Sequence, residues 1–353
     1  MFSGAVIDLR IITRVHSQER KHKHEVYGIG CGSHGITLWC FITSSWLSSW
    51  FCRYTWDQQV QTIQQQGGVY VARDGQNRHL VPIRISTPEN YHGQPDVLII
   101  FTKQMGLAEI LSRSAHFFND QQYVVTAMNG MGHIEKINQY FKPEKVLGGT
   151  ALIGTVLKQA GDVDFIGAAN AGSMNIANQT EQPDEMTHQI VAEFTKAHLN
   201  PTLTTNFLGT LLAKVIFNSV INTLCTMFQI QMGEFIQSPV AQKLGRQLIG
   251  EAFDVCERAG ITLMNTREEE WQTIEYVSRE TNPLHFPSMY QDITKHRPTE
   301  VDYINGYLYD LGVQYHYEAK THDFYFLRNL VHLAEFAGTF DITSLKPLTE
   351  GKH

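Results

Sequence analysis

Val26-Tyr-Gly-Ile-Gly30-Cys-Gly32-Ser33-His34-Gly35 is the stretch on which the reading of this chain turns. The short apolar run at Val26, Tyr27 and Ile29 predicts a strand, and the glycines after it match G-x-G-x-x-G. Each glycine has a physical task in such a loop. Gly30 permits a tight turn, Gly32 lets a pyrophosphate approach the backbone, and Gly35 lets the next helix pack close to the strand. The start of that helix would aim its free N–H groups at the phosphates, with Ser33 and His34 in the loop between. An ordinary glycine turn would account for the same residues, so the loop needs support from its surroundings.

That support lies downstream. About 20 residues on, where this fold reads the ribose, Trp50-Phe-Cys-Arg53 predicts a second strand. It ends in Arg53 instead of an acid. A carboxylate would bond a free 2′-hydroxyl, whereas a guanidinium holds a 2′-phosphate, which favours NADP over NAD. Asp96–Phe101 and Tyr123–Ala127 read as buried strands, with an amphipathic helix over 107–118 between them. Strands alternating with helices imply a parallel sheet with right-handed crossovers. Lys103 and Asn129-Gly130-Met131-Gly132 follow two of those strands, at the carboxyl ends where open sheets bind ligands. Further strands are expected over 146–157, 163–167 and 173–177.

Beyond residue 200 the texture becomes helical, over 205–228, 238–259, 266–280, 299–312 and 319–337. The expected fold class is therefore α/β, with a Rossmann-like NADP-binding domain (25–200) followed by an all-α C-terminal domain (201–345). Residues 1–24 read as an extension without an assigned role. The helix containing Lys214, Asn218 and Asn222 is apolar at nearly every other position. These three recur at i, i+4 and i+8, so they share one face. A stripe of that kind on a buried helix needs partners or a ligand, because an unsatisfied buried amide costs about 1–3 kcal/mol. Solvent along one face is the plainer alternative. In Arg297-Pro-Thr-Glu300-Val-Asp-Tyr-Ile-Asn-Gly306, Pro298 suits a first helical turn and Glu300 is favoured near that N-terminus.

Composition removes several classes. The chain has 353 residues, 42% of them apolar and 18% charged, enough apolar material for a core and room for two domains. A net charge of −7 argues against a nucleic-acid binder. The five cysteines show no paired spacing, and the sixteen histidines show no ligand spacing. No metal site is expected, and a reducing, cytoplasmic setting fits. Residues 36–52 form an uncharged run, but it is short for a membrane span, holds several serines, and reads as a buried helix entering a strand. Charges interrupt the first 24 residues, so these do not read as a signal peptide. Glu25 with His22 and His24 reads as a solvated cluster.

Taken together, Gly30-x-Gly-x-x-Gly35, Asn129-Gly-Met-Gly, Lys214-x-x-x-Asn218-x-x-x-Asn222, Ser288-Met-Tyr-Gln-Asp292 and the Arg297–Gly306 block resemble the ketopantoate reductase (2-dehydropantoate 2-reductase) family. The resemblance spans about 25–340. It implies NADPH-dependent reduction of 2-dehydropantoate to pantoate, on the route to pantothenate and coenzyme A, in a cleft between two domains. By the same resemblance Lys214 would be the general acid and Glu300 would position both substrate and lysine. Asn129, Asn218, Asn222 and Ser288 would hold substrate, Lys103 would lie beside the nicotinamide with Asn129 also contacting the cofactor, and Arg53 would read the 2′-phosphate. A small-molecule substrate is implied, with neither nucleic acid nor membrane as partner; a homodimer is compatible. His34 and Met232 depart from the family pattern. Reduction of another branched 2-oxo acid, or an inactive NADP(H)-sensing protein, are the alternatives.

Overall fold

The computed structural model describes residues 25–30, 48–52, 58–152, 154–166 and 173–339. Eight strands build the main sheet: β1 (Glu25–Gly30), β2 (Ser48–Cys52), β5 (Arg84–Ser86), β6 (Val97–Phe101), β7 (Tyr123–Thr126), β8 (Val146–Leu152), β11 (Ser173–Asn178) and β12 (Pro201–Thr204). Their order is β12-β11-β8-β7-β6-β1-β2-β5, and every neighbouring pair is parallel except β8 with β11. A smaller sheet runs β4 (Gln76–Pro82), β3 (Gly68–Arg73), β10 (Asp162–Ile166), β9 (Gly154–Gln159).

Among the described residues, four helices belong to this half: α1 (Gln58–Gln66), α2 (Gln104–Ser114), α3 (His133–Ile137) and α4 (Glu185–Lys196). Seven more form the helical half: α5 (Phe207–Phe228), α6 (Met232–Gln237), α7 (Pro239–Arg258), α8 (Arg267–Tyr276), α9 (Ser288–Thr294), α10 (Asn305–Gln314) and α11 (His322–Thr339).

The period-two pleat explains why the central strands are apolar throughout. Tyr27, Ile29, Leu98, Ile100 and Val124 point to one face and join a core that continues into the helical half. Val26, Val97, Ile99, Tyr123 and Val125 point to the other face and join a second core with Val60, Ile190 and Phe194. Between β1 and β6 the chain order reverses. β1 is followed by β2 on one side, while β6 lies on the other. That is the switch point at which doubly wound sheets open a crevice.

Helix α5 is the hub of the helical half. Asn206 caps it, its Oδ1 accepting from Gly209 N at 2.8 Å. The helix packs on β8 and β11 and on α7, α9 and α11. It is long and apolar enough to cross a membrane, but most of it is buried inside the fold. At its start the Phe207 ring lies on Gly148, where a Cβ would come within 2.7 Å.

The structure corrects several expectations. The single strand expected over 146–157 is two strands, β8 and β9, in different sheets. Residues 201–204, read as the start of the helical part, form β12 in the main sheet. Pro201 opens that edge strand, where its missing N–H costs no ladder bond. The helix expected from 299 starts at Asn305, because a 3-10 turn over Val301–Tyr303 precedes it and leaves Pro298 in a loop. α8 ends in a π turn at Val277–Thr281 instead of running regularly to 280. The region 58–86 and helix α4 were not foreseen, nor were α6 and α9. Of the run 36–52, the described part is β2; the helix expected ahead of it lies outside the described residues.

The two halves meet at the turn after β7. Met131 N donates to Tyr303 O at 2.8 Å, and Gly130 takes a left-handed φ of +78° against Tyr303. A Cβ at Gly130 would lie 2.7 Å from Tyr303 Cβ and carbonyl oxygen. Gly130→Ala is therefore expected to destabilise the protein by about 1–3 kcal/mol, from left-handed strain plus the clash. A urea titration checks this; an unchanged midpoint would mean that the turn relaxes freely.

Candidate active site

β6 delivers Lys103 to its carboxyl end, immediately before α2. Lys103 Nζ donates to Asp292 Oδ2 at 2.7 Å and to Glu300 Oε2 at 3.3 Å. The other oxygen of Glu300 accepts from Gln104 N at 3.2 Å, so this carboxylate caps the positive end of α2. Asp292 also pairs with Arg297 at 2.8 Å. Both carboxylates are buried, Asp292 to 2% and Glu300 to 5% exposure. Burial alone would pull the Lys103 pKa down. The charges of Glu300 and Asp292, with their hydrogen bonds, outweigh it and raise the pKa, so Lys103 remains an ammonium.

β7 delivers Asn129. Its carbonyl accepts from Gln104 Nε2 at 2.9 Å, and its Oδ1 receives the Asn218 amide at 3.4 Å. Asn218 belongs to the α5 stripe, one turn from Lys214. A continuous polar chain thus runs from Asp292 through Lys103, Glu300, Gln104 and Asn129 to Asn218. Asn305 holds the Glu300 loop against the same helix: its Nδ2 donates to Ser219 O at 3.1 Å and its Oδ1 accepts from Thr223 Oγ1 at 2.7 Å.

Lys214 is the contrasting case. It is partly buried and makes no hydrogen bond or ion pair with the described residues; its Nζ lies 5.7 Å from the Phe217 ring centroid. Burial pushes its pKa down to about 8. The expectation that Glu300 holds Lys214 is thereby corrected, since the carboxylate is engaged by Lys103 and the α2 terminus. Asn222 is buried, and it too has no hydrogen bond within the described residues. Ser288 opens α9, which packs on α5. His285 stands close enough to Lys214 that desolvation, helped by the lysine charge, lowers its pKa.

Of the residues singled out from sequence, Lys103, Asn129, Asn218 and Glu300 are brought into one hydrogen-bonded chain. Lys214 and Asn222 extend it along α5, and Ser288 sits on the helix packed beside it. Gly30 ends β1 beside Phe101. Gly32, Ser33, His34, Gly35 and Arg53 lie outside the described residues. Met232 is buried at 3% exposure, its backbone N–H bonded to His285 O. Sequence reasoning assigned no role to Asp292, although it shares a helical face with Ser288 at i+4 spacing. Gln104 and His133 carried no signal of their own. No cluster of metal-ligating side chains occurs among the described residues. A surface concavity of about 480 Å³ at Phe253, Glu257, Ile261 and Arg267 holds none of these groups.

Two family models match the chain: Ketopantoate reductase PanE/ApbA over residues 26–179, and Ketopantoate reductase PanE/ApbA C terminal over residues 206–335. The chain belongs to the ketopantoate reductase family. A 2-dehydropantoate 2-reductase of Streptococcus pyogenes is 29% identical over 254 residues, covering 71% of this chain and 79% of that protein. One from Lactococcus lactis is 25% identical over 287 residues, covering 79% and 88%. Among solved structures, the ternary structure of D-mandelate dehydrogenase with NADH and anilino(oxo)acetate superposes with a TM-score of 0.81. It is 26% identical and covers 89% of this chain and 100% of that one.

In this ketopantoate reductase family member the desolvation of Lys214 carries a stability cost. Below about pH 8 Lys214 is charged in both folded and unfolded states, and the folded state bears the desolvation. Between about 8 and the ordinary lysine range the unfolded chain holds the extra proton, so stability rises with pH. Lys214→Met is expected to stabilise the protein at pH 7 by up to about 3 kcal/mol, at 1.36 kcal/mol per unit of pKa. The advantage should shrink as pH rises from 8 to 10. Denaturant titrations at both ends of that range check this; destabilisation at pH 7 would show that the ammonium is well solvated.

Proposed function

We propose that this protein reduces the C2 ketone of 2-dehydropantoate to pantoate with NADPH, in a cytoplasmic setting that agrees with its buried free thiols at Cys225 and Cys256. The observation that carries the reading is an ammonium, Lys214, without a hydrogen bond or ion pair among the described residues, on one helical face with the amides of Asn218 and Asn222. That face meets Asn129 at the carboxyl end of a sheet strand. The reversal of strand order at β1 and β6, with Lys103 and Asn129 following adjacent strands, fits a dinucleotide. Gly30, Gly32, Ser33, His34 and Gly35 would hold its pyrophosphate, Arg53 its 2′-phosphate, and Lys103 would stand at the nicotinamide end. The reduced nicotinamide, when bound, supplies the hydride.

The chain's own residues do the rest. Negative charge grows on the ketone oxygen as the carbon is reduced, and the Lys214 ammonium stabilises that charge and donates the proton. Asn129, Asn218, Asn222 and Ser288 supply neutral donors and acceptors for the substrate's carboxylate and hydroxyl, so the lysine charge is not quenched. Glu300 and Asp292 act one step back, keeping Lys103 charged and in place. Lys214 must be protonated for reduction and neutral for the reverse oxidation.

The likeness to D-mandelate dehydrogenase favours a second reading, in which the preferred substrate is an aryl 2-oxo acid and the reductant NADH. Purified protein with NADPH or NADH and a panel of 2-dehydropantoate, 2-oxoisovalerate and phenylglyoxylate separates them. The highest kcat/KM is expected for 2-dehydropantoate with NADPH. Preference for phenylglyoxylate with NADH would replace the first reading by the second, and NADPH binding without any turnover would leave an NADP(H) sensor.

The pH profile tests the acid itself. Reductive kcat/KM should fall about tenfold per unit above pH 8 while the oxidative rate rises, because only one Lys214 form serves each direction. Lys214→Ala should lower kcat by about 10²- to 10⁴-fold and leave NADPH affinity nearly intact. Wild-type turnover in that variant would exclude Lys214 as the acid.

A further inference from the structure

Gln104 is the least conspicuous residue of the polar chain and the most connected. It opens α2, is fully enclosed, and touches both halves of the protein. Its backbone N–H donates to Glu300, and its backbone carbonyl accepts from Lys136 Nζ at 3.2 Å. Lys136 in turn lies over the Tyr303 ring, 4.7 Å from its centroid. The Gln104 side-chain amide donates to the Asn129 carbonyl at 2.9 Å and lies 3.2 Å from His133 Nδ1.

The orientation of that amide is forced. A carbonyl oxygen only accepts, so the atom facing Asn129 O must be Nε2. Its second proton points at His133 Nδ1, which must then offer a lone pair, placing the ring proton on Nε2. His133 is itself fully enclosed. Burial, and then the Lys136 charge, push its pKa down to about 4, so the ring is neutral at working pH. A backbone hydrogen bond with Gly130 opposes this shift without reversing it.

Two atoms of this pair, Gln104 Oε1 and His133 Nε2, are buried without a hydrogen-bond partner among the described residues. Such atoms cost about 1–3 kcal/mol each, so two apolar side chains of the same shape would be the more stable choice. What the pair provides is position. Asn129 cannot swing away from the Lys214 face while its carbonyl is held, and Gln104 cannot turn while His133 accepts from it.

We propose that Gln104 is a positioning residue for the reaction, fixing Asn129 toward the substrate, and that His133 fixes the Gln104 amide in the orientation this requires. The inference rests on the reading of Asn129 as a substrate ligand. It makes the pair part of the catalytic geometry without contact with the reacting atoms.

Two measurements test it. The first needs no turnover: long-range ¹H–¹⁵N spectra of the full-length protein, with His133 assigned by its loss in His133→Asn, report the ring tautomer. A neutral ring protonated at Nε2 from pH 6 to 8 is expected. A ring protonated at Nδ1, donating to Gly130, would overturn the amide orientation and the proposal with it. The second is kinetic. Gln104→Met and His133→Leu should each lower kcat about tenfold to a hundredfold through misplacement of Asn129, with KM for NADPH within about twofold. Their Tm should be unchanged or higher, which a merely structural pair would not give. His133→Asn, whose Oδ1 can accept where Nδ1 did, should restore most of kcat. Wild-type kcat in Gln104→Met, or a loss of kcat matched by a fall in Tm, would overturn the proposal. If the wild-type protein reduces no 2-oxo acid, the functional reading fails by itself and the tautomer still decides the orientation.

Discussion

The clasp of Lys103 by Asp292 and Glu300 is the constraint on which the rest of this structure depends. The lysine comes from the end of a sheet strand and both carboxylates from the helical half, so three charged groups close the seam between the two parts. A buried carboxylate without a partner costs several kcal/mol, and breaking such a pair on one side costs about 3–5 kcal/mol. The seam is therefore specific. Sliding the halves by one residue would strand two acids in a low-dielectric setting. Glu300 adds a second bond to the α2 terminus and Asn305 a third tie to α5, so the loop between α9 and α10 has little freedom left.

That rigidity determines what the two lysines can do. Lys103 and Lys214 have the same side chain in similarly enclosed places, and their pKa values move in opposite directions. The difference is the company each keeps. Two carboxylates overcome the desolvation of Lys103 and fix it as a permanent charge, unsuited to giving up a proton. No carboxylate faces Lys214 among the described residues, so its proton is held loosely enough to be donated near neutral pH. The proposed reaction, which needs one charge to hold an anion and one to protonate an oxygen, would divide these tasks between the two lysines.

Hydrophobic periodicity made much of this legible in the sequence. The central strands at 97–101 and 123–126 are short runs of branched residues, and the Lys214 stripe stands out because α5 is apolar elsewhere. The small sheet was not legible for the same reason inverted. β4 reads Gln-Asn-Arg-His-Leu-Val-Pro and is mostly exposed, so it carries no apolar alternation. Nor could the partner of Glu300 be read. Lys103 lies 197 residues away, and the family resemblance and a helix start suggested two roles, neither of them an ion pair with Lys103. Pairings at that separation are decided by how sheet and helices dock.

The pairing of Glu300 with Lys103 also bears on the proposed chemistry. Had Glu300 paired with Lys214, the ammonium would already be neutralised when an anionic 2-oxo acid arrived. Left unpaired, Lys214 carries a desolvation cost that a substrate carboxylate or a developing oxyanion relieves. By linkage, whatever negative charge binds beside it must raise its pKa above 8. Were Lys214 the acid, as proposed, it would be loosest in the free protein and fully protonated once an anionic substrate lay beside it. Binding, charge stabilisation and proton supply would then all follow from a partly buried lysine that no carboxylate faces among the described residues.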